Sequence, residues 1–299
     1  MNSRPTGSAF PVMGEEDSTS VNTRSAVEVF DSKSYTRFCD LVYDQCGILL
    51  NEKKRSLVEA RLGKRLRQLN LDSLKSYITL LEHGEGREEM VQMLNLISTN
   101  VTSFFRENEH FNLLHRLVDD WAGQGVKRLR IWCAAASTGE EPWSLAMVIQ
   151  EAAAGRIADI KLLGTDISTR VLEQCQRAEY EDRKLEPVST ARRERWFQRV
   201  AAANGEVHWR VRDELRRLAL FRRLNLVRTP YPMKGPLDVI FCRNVMIYFD
   251  NPTRKRLMEN MEQLLRPGGY LFVGHSESLA GSLSSLQRVA PSVYRRETP

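Results

Sequence analysis

Two acidic positions, Glu141 and Asp166, stand where an α/β protein would hold a ligand. The apolar run Leu129-Arg-Ile-Trp-Cys-Ala-Ala135 reads as a strand, and Ala134-Ala-Ala-Ser-Thr-Gly-Glu-Glu-Pro142 follows from its end. Small residues there let a ligand approach the backbone. Asp166 closes a second short strand, Ile160 to Thr165, where an acid commonly accepts both hydroxyls of a ribose. Only Gly139 is present, so this is not the dinucleotide pattern G-x-G-x-x-G, and Glu140 and Glu141 would repel a pyrophosphate. A cationic adenosyl ligand suits these acids better. S-adenosylmethionine fits, with Asp166 on its ribose, Glu141 facing its ammonium and a nearby arginine neutralising its carboxylate. A third feature, Leu265-Arg-Pro-Gly-Gly-Tyr-Leu271, reads as a tight turn at a further strand end. Together the three point to a methyltransferase.

The elements that must position these residues follow from hydrophobic periodicity. Residues 1–30 are rich in Ser, Thr, Asn, Gly and Pro and read as a disordered tail. Residues 31–100 carry four helical stripes and no strand alternation, which predicts a small all-α domain. The first stripe stops at Gly47; the third is expected to be capped by Asp72 and closed by Gly84. From residue 101 onward strands alternate with helices, which predicts a parallel, Rossmann-like sheet with the ligand beyond the strand carboxyl ends. In that stretch Trp143–Ala153 reads as a helix with Pro142 in its first turn. Ser168 is expected to cap a helix running to about Tyr180, and Leu237–Cys242, Thr253–Leu265 and Tyr270–Gly274 read as strand, helix and strand. Trp196–Val200 and Glu206–Val211 break the rhythm and predict a small antiparallel β insert at about 190–215, turned across Asn204-Gly205.

Charge sharpens the partner question. The 299 residues carry a net +6, but residues 51–70 hold 7 bases and 2 acids, and residues 181–230 hold 13 bases and 7 acids. These windows together carry +11 against a total of +6, so the remainder is net negative and the positive charge is two patches. On a helical wheel the second stripe, Val58 to Leu69, faces one way. Lys53, Lys54, Arg61, Lys64, Arg65 and Arg67 face the other, so this helix is expected to present a basic docking face. No stretch approaches the ~18 apolar residues of a membrane span. No signal peptide is evident, so a cytoplasmic protein is expected. Five cysteines without C-x-x-C read as reduced and buried, and His110 and His115, five apart, do not share a helix face as metal ligands would; no metal is expected.

Longer motifs carry a stronger signal. Thr99-Asn-Val-Thr-Ser-Phe-Phe-Arg-Glu107, Trp132 to Pro142, Gly164-Thr-Asp-Ile-Ser168, Phe241-Cys-Arg-Asn-Val-Met-Ile-Tyr-Phe-Asp250 and Gly274-His-Ser-Glu277 resemble the chemotaxis receptor methyltransferases, the CheR family. The resemblance runs from about residue 34 to residue 295. It implies a helical N-terminal domain, a methyltransferase domain with a β insert, and transfer of the methyl of S-adenosylmethionine to chemoreceptor glutamates. The products would be glutamyl methyl esters and S-adenosylhomocysteine. By the same resemblance Asn100, Thr102, Arg106, Glu141, Asp166, Asn225, Leu226, Arg243 and Asn244 would contact the cofactor, with Asn225 and Leu226 at the adenine. Arg106 and Tyr248 would line the methyl-transfer site, and Lys54, Arg61, Lys64 and Arg65 would dock the receptor. The implied partners are the cytoplasmic helices of methyl-accepting chemoreceptors, with or without a C-terminal tethering peptide bound by the β insert. No nucleic acid and no membrane insertion are implied, and a monomer is expected.

Two other functions fit part of the pattern. A nucleic-acid methyltransferase would suit the basic pI of 9.1. Base-amino methyltransferases, however, carry Asn/Asp-Pro-Pro-aromatic where this chain has Cys242-Arg-Asn-Val-Met-Ile-Tyr248, and residues 51–70 lack interleaved aromatics for stacking. A non-catalytic module that senses S-adenosylmethionine and docks a partner is the second.

Overall fold

The computed structural model describes residues 30–83, 86–201, 205–277 and 285–297. The expected tail (apart from Phe30), the stop at Gly84 and the turn residue Asn204 lie outside the described residues.

Four helices form the first unit. Helix α1 (Ser32–Cys46) starts where the Asp31 carboxylate accepts from Ser34 N, and stops at Gly47, whose φ of 69° is left-handed. Helix α2 (Arg55–Gln68) buries Val58, Leu62 and Leu66. Helix α3 (Leu74–Glu82) is capped by Ser73, whose Oγ accepts from Ser76 N; the sequence reading placed the cap one residue early, at Asp72. Helix α4 (Arg87–Ile97) completes a core that includes Phe38, Val42, Leu62, Tyr77, Met93 and Ile97. Burying these side chains contributes roughly 1.5–3 kcal/mol each.

Helix α5 (Asn108–Gly123) leads into β1 (Arg128–Cys133), α6 (Glu140–Ala153), β2 (Asp159–Asp166) and α7 (Thr169–Arg177). Strand β1 shows why the sheet is covered on both faces. Ile131 and Cys133 pack into one core cluster and Trp132 and Ala134 into the other, as alternation along a strand requires. Then come β3 (Glu179–Tyr180), α8 (Thr190–Trp196), β4 (Phe197–Ala201), β5 (Val207–Val211) and α9 (Asp213–Arg216). Strands β3, β5 and β4 make the antiparallel insert, with Phe197 opposite Val211. The short β3 was not anticipated: α7 ends at Arg177, with Ala178 left-handed, and the next two residues join the insert.

The remaining elements are β6 (Ala219–Arg223), β7 (Leu237–Cys242), α10 (Asn251–Leu264), β8 (Leu265–Val273), β9 (Leu286–Ala290) and β10 (Val293–Arg296). The main sheet runs β6-β2-β1-β7-β8-β10-β9, with the first five strands parallel. From β1 the chain proceeds to β2 on one side and later to β7 on the other. The carboxyl ends of β1 and β7 therefore form the switch point, where ligands bind in this architecture.

The turn expected at Leu265 to Leu271 is instead part of β8, bulged against β7 between Leu237 and Val239. It sits at the amino ends of the parallel strands, where Arg266 pairs with Asp238 at 2.5 Å. It belongs to the opposite edge of the sheet from the switch point.

The helical unit sits over the carboxyl ends. Tyr43 donates to Asp250 at 2.6 Å, Asn225 Nδ2 to the Gln45 carbonyl at 2.7 Å, and Leu49 N to the Tyr248 carbonyl at 2.9 Å. Gly47 makes this approach possible, because a Cβ there would lie 2.7 Å from Val227. Among the described residues no helix is long and apolar enough to cross a membrane.

Candidate active site

The roof and the sheet enclose one pocket. Its walls bring together Lys54, Arg61, Asn100, Thr102, Arg106, Glu141, Asp166, Arg243, Asn244 and Tyr248. A second recess opens beside it, lined by Asn225, Leu226, Ile48, Ala134, Val245 and again Asp166 and Tyr248.

The floor comes from the strand ends. Asp166, the last residue of β2, accepts from Ser137 N at 2.9 Å and Ser168 N at 3.0 Å. Ser168 also caps α7, as expected. Burial nevertheless raises the pKa of Asp166 above its ordinary value, those two hydrogen bonds opposing it. Glu141 lies in the first turn of α6, which begins at Gly139 (φ 101°), and points into the pocket. Glu140 turns away to Lys184 at 2.9 Å, so of this pair only Glu141 serves the pocket.

Arg243 lies beneath. Its side chain is fully buried, 3.0 Å from Glu141 and 3.1 Å from Glu107, and it donates to the Arg106 carbonyl. Burial pushes the pKa of Glu141 up, and Arg243 pulls against it. For Glu107 burial also raises the pKa, but Arg243, His275 and Asn244 outweigh it and the net shift is downward. Asn244 adopts φ 56°; its N–H donates to the Glu277 carboxylate at 2.7 Å, and Glu277 also accepts from Gly274 N and Ile247 N.

The segment between α4 and α5 crosses the mouth. Phe105 and Glu107 both hold left-handed φ values, 54° and 57°. Such residues cost ~1–3 kcal/mol each and persist only where their surroundings fix them. Here Phe105 N donates to Ser144 Oγ at 3.1 Å, Phe104 and Phe105 are buried, and Arg243 holds the Arg106 carbonyl. The outcome is an exposed Arg106 whose side chain lines the pocket.

Tyr248 closes a short 3-10 turn, Met246–Tyr248. Burial raises its pKa, with a hydrogen bond to Thr99 and the charge of Arg106 opposing that, so the phenol stays protonated. Lys54 lies over its ring at 4.8 Å. Leu226 is buried, and the Asn225 amide is taken at both ends, by the Gln45 carbonyl and by Val227 N at 3.2 Å. Asn225 therefore shapes the recess and presents little free side-chain polarity to it.

Helix α2, the one expected to present a basic docking face, differs from the wheel reading. Arg61 is half-buried, lines the pocket and reaches the carbonyls of Leu96, Ile97 and Ser98, closing the end of α4. Arg65 pairs with Glu89, which also accepts from Tyr77 at 2.6 Å. Lys54 belongs to the pocket mouth, and of the four expected docking residues only Lys64 is exposed. A wheel gives a residue's angle about its own helix and says nothing of the neighbour it meets.

The residues fit an adenosyl cation. Two carboxylates and the small residues Ala135 and Ser137 line the pocket, and the adjoining recess is apolar enough for a flat ring. Sequence reasoning gave no role to Glu107 or Glu277 and missed Lys54 and Arg61 as pocket residues. Glu107 and Glu277 do stand in two of the motifs that carry the resemblance, but no local spacing gives their roles, because their partners come from distant segments.

Comparison with known proteins agrees with this geometry. Residues 33–98 match the model described as the CheR methyltransferase all-alpha domain, and residues 100–294 the CheR methyltransferase SAM binding domain. The chemotaxis protein methyltransferase 2 of Pseudomonas aeruginosa is 39% identical over 293 residues, covering 97% of this chain and 99% of that one. The chemotaxis protein methyltransferase of Escherichia coli K12 is 39% identical over 246 residues, 82% of this chain and 84% of that one.

Proposed function

Given that the chain belongs to the CheR family of methyltransferases, we propose that it esterifies glutamate side chains on the cytoplasmic helices of chemoreceptors. It is an S-adenosylmethionine-dependent methyltransferase of chemotactic adaptation. The glutamate, the receptor surface and the roles of individual residues are our reading. So is a division of the chain at about residue 100 between a docking and a catalytic unit.

One observation carries this reading: the pocket is acidic at its floor and basic at its mouth. Glu141 and Asp166 line the floor, where Arg243 is shared between Glu141 and Glu107, and Lys54, Arg61 and Arg106 line the mouth. Acids select a cationic cofactor; bases select an anionic acceptor. A basic mouth would also suit a phosphate backbone, so the weight against a nucleic-acid methyltransferase comes from the family match and from Cys242-Arg-Asn-Val-Met-Ile-Tyr248 standing where such enzymes carry Asn/Asp-Pro-Pro-aromatic.

Bound S-adenosylmethionine supplies an electrophilic methyl group. Asp166 and Glu141 would hold the ribose and the ammonium, and Leu226 would wall the ring recess. Little acid–base help is required, because a glutamate side chain is already ionised near neutral pH. The protein's task is alignment and exclusion of water, which can lower a barrier by ~7–11 kcal/mol. Arg106 or the Tyr248 hydroxyl would orient one carboxylate oxygen and leave the other free to attack. Lys54, fixed on the Tyr248 ring, adds positive charge at the entrance.

The test is transfer of tritiated methyl groups to receptor-containing membranes, with base-labile label scored as ester. We expect labelled receptor. Cofactor binding with no label on any receptor would favour the sensing module, and base-stable label would exclude the ester.

A further inference from the structure

Behind Arg243, on the side away from the pocket, three potential metal ligands converge. They are Glu107, His110 and His275, and one donor atom from each lies within 4.8 Å of the others. His110 is 2% exposed. Its Nε2 faces the Pro291 carbonyl at 3.4 Å. A carbonyl can only accept, so Nε2 carries the hydrogen and Nδ1 presents a lone pair. That lone pair points at Glu107 Oε2, 3.5 Å away; Nδ1 has no hydrogen-bond partner, while Oε2 is held by the Arg243 guanidinium at 3.1 Å. His275 Nε2 stands 3.8 Å from the same oxygen. His110 Nδ1 and Glu107 Oε2 thus face each other as two acceptors, with His275 Nε2 beside them. A cation at that point removes the conflict.

We propose that Glu107, His110 and His275 form a binding site for a divalent transition metal of the zinc type. Two imidazoles and one carboxylate are a donor set such ions favour, and three protein ligands leave a position for water. The Pro291 carbonyl on the far nitrogen of His110 orients the ring, as outer partners of ligating histidines do. Zinc bonds of ~2.0–2.2 Å would hold the three donor atoms about 3.3–3.5 Å apart. Glu107 and His110 already meet that spacing, and His275, 47% exposed on a turn after β8, must swing by on the order of 1 Å. Three carboxylates, Glu107, Glu141 and Glu277, lie near Arg243, whose guanidinium contacts the first two, so the acids outnumber this one cation. Occupancy would tie the turn after β8 to the Arg106–Glu107 turn at the pocket mouth. Nearness in sequence gives no hint of this, because His275 arrives from the far end of the chain.

The test is titration of the untagged full-length protein with zinc by calorimetry, and with cobalt followed by its visible absorption. We expect one saturable ion, with the absorption of a four- or five-coordinate cobalt lacking thiolate ligands. His275→Ala and Glu107→Gln should each weaken binding at least tenfold, while Cys39→Ser leaves it unchanged. His275→Ala is the decisive variant because this exposed side chain can be removed without opening the core. Absence of saturable binding, or equal affinity in His275→Ala, would overturn the site and leave a proton as the bridge between His110 and Glu107. Metal binding needs no methyl transfer, so its failure would leave the proposed activity intact.

Discussion

The guanidinium of Arg243 lies 3.0 Å from the carboxylate of Glu141, with the arginine side chain fully enclosed and a second carboxylate, Glu107, 3.1 Å away. One cation thus joins the acid that lines the pocket to the acid behind it. Removing either member of such a group leaves the others uncompensated, which usually costs more than the pair contributes.

Arg243→Met leaves Glu141 and Glu107 without their shared partner. We expect a loss of ~3–5 kcal/mol in stability, read as a drop on the order of 10 °C in melting temperature. Glu141→Gln leaves Arg243 paired with Glu107, so its effect on stability should be smaller. Its affinity for S-adenosylhomocysteine should fall ~10–100-fold, the weight of one charge-assisted hydrogen bond. Calorimetry and thermal melts separate the two effects, and equal destabilisation by both variants would refute this division of labour.

Asp166→Asn tests the floor by its pH dependence. The folded pKa of Asp166 is raised by burial, so the folded state binds its proton more tightly than the unfolded state does. Stability from that proton is complete below the unfolded value, near 3.8, and is lost as pH rises through the folded value. Asparagine does not titrate. The melting temperature of Asp166→Asn minus that of the wild type should therefore grow more favourable to the variant from pH 4 to neutrality. At neutral pH its cofactor affinity should be at least tenfold weaker. A difference independent of pH would show that Asp166 is not strained by burial.

These acids were legible because strand ends are legible. The runs Leu129–Ala135 and Ile160–Thr165 place Glu141 and Asp166 at the carboxyl edge once the sheet is taken as parallel. The same reasoning misassigned Leu265–Leu271, because a Pro-Gly-Gly stretch looks alike whether it bulges inside a strand or precedes one. Arg61 and Arg65 were misplaced for a different reason. Their positions on α2 were read correctly, but α4, whose carbonyls and Glu89 receive them, is a separate element with no sequence link to that phase. Glu107 and Glu277 depend on contacts between segments far apart in the chain, which no local pattern encodes.

The basic helix therefore needs a narrower test of docking. Lys64 and Arg67 are exposed, whereas Arg65 is committed to Glu89, itself buried beside Tyr77. Lys64→Glu with Arg67→Glu should raise the KM for receptor several-fold, more at low than at high salt, with an unchanged melting temperature and cofactor affinity. Arg65→Glu should lower the melting temperature instead, because it sets two carboxylates together at a largely enclosed site. Receptor methylation that ignores the Lys64 and Arg67 reversals would place the docking surface elsewhere.

Tyr248 separates binding from chemistry. Its ring borders the apolar recess and carries Lys54 at 4.8 Å, and burial keeps its hydroxyl protonated at working pH. Phenylalanine retains the ring, so Tyr248→Phe should bind S-adenosylhomocysteine within about twofold of the wild type. The hydroxyl is the part proposed to orient the acceptor carboxylate, an interaction realised as the oxygen aligns with the methyl group. Its loss should lower kcat ~10–100-fold, as for a hydrogen bond to a charged group, with little change in KM for cofactor. Tyr248→Ala opens the recess as well and should lose both. Single-turnover methylation of receptor membranes, set beside calorimetric affinity, distinguishes the cases. If Tyr248→Phe turns over at the wild-type rate, the orienting role passes to Arg106, which lines the same pocket. Arg106→Lys should then show the kcat loss, because an ammonium keeps the charge but cannot present the paired donors of a guanidinium.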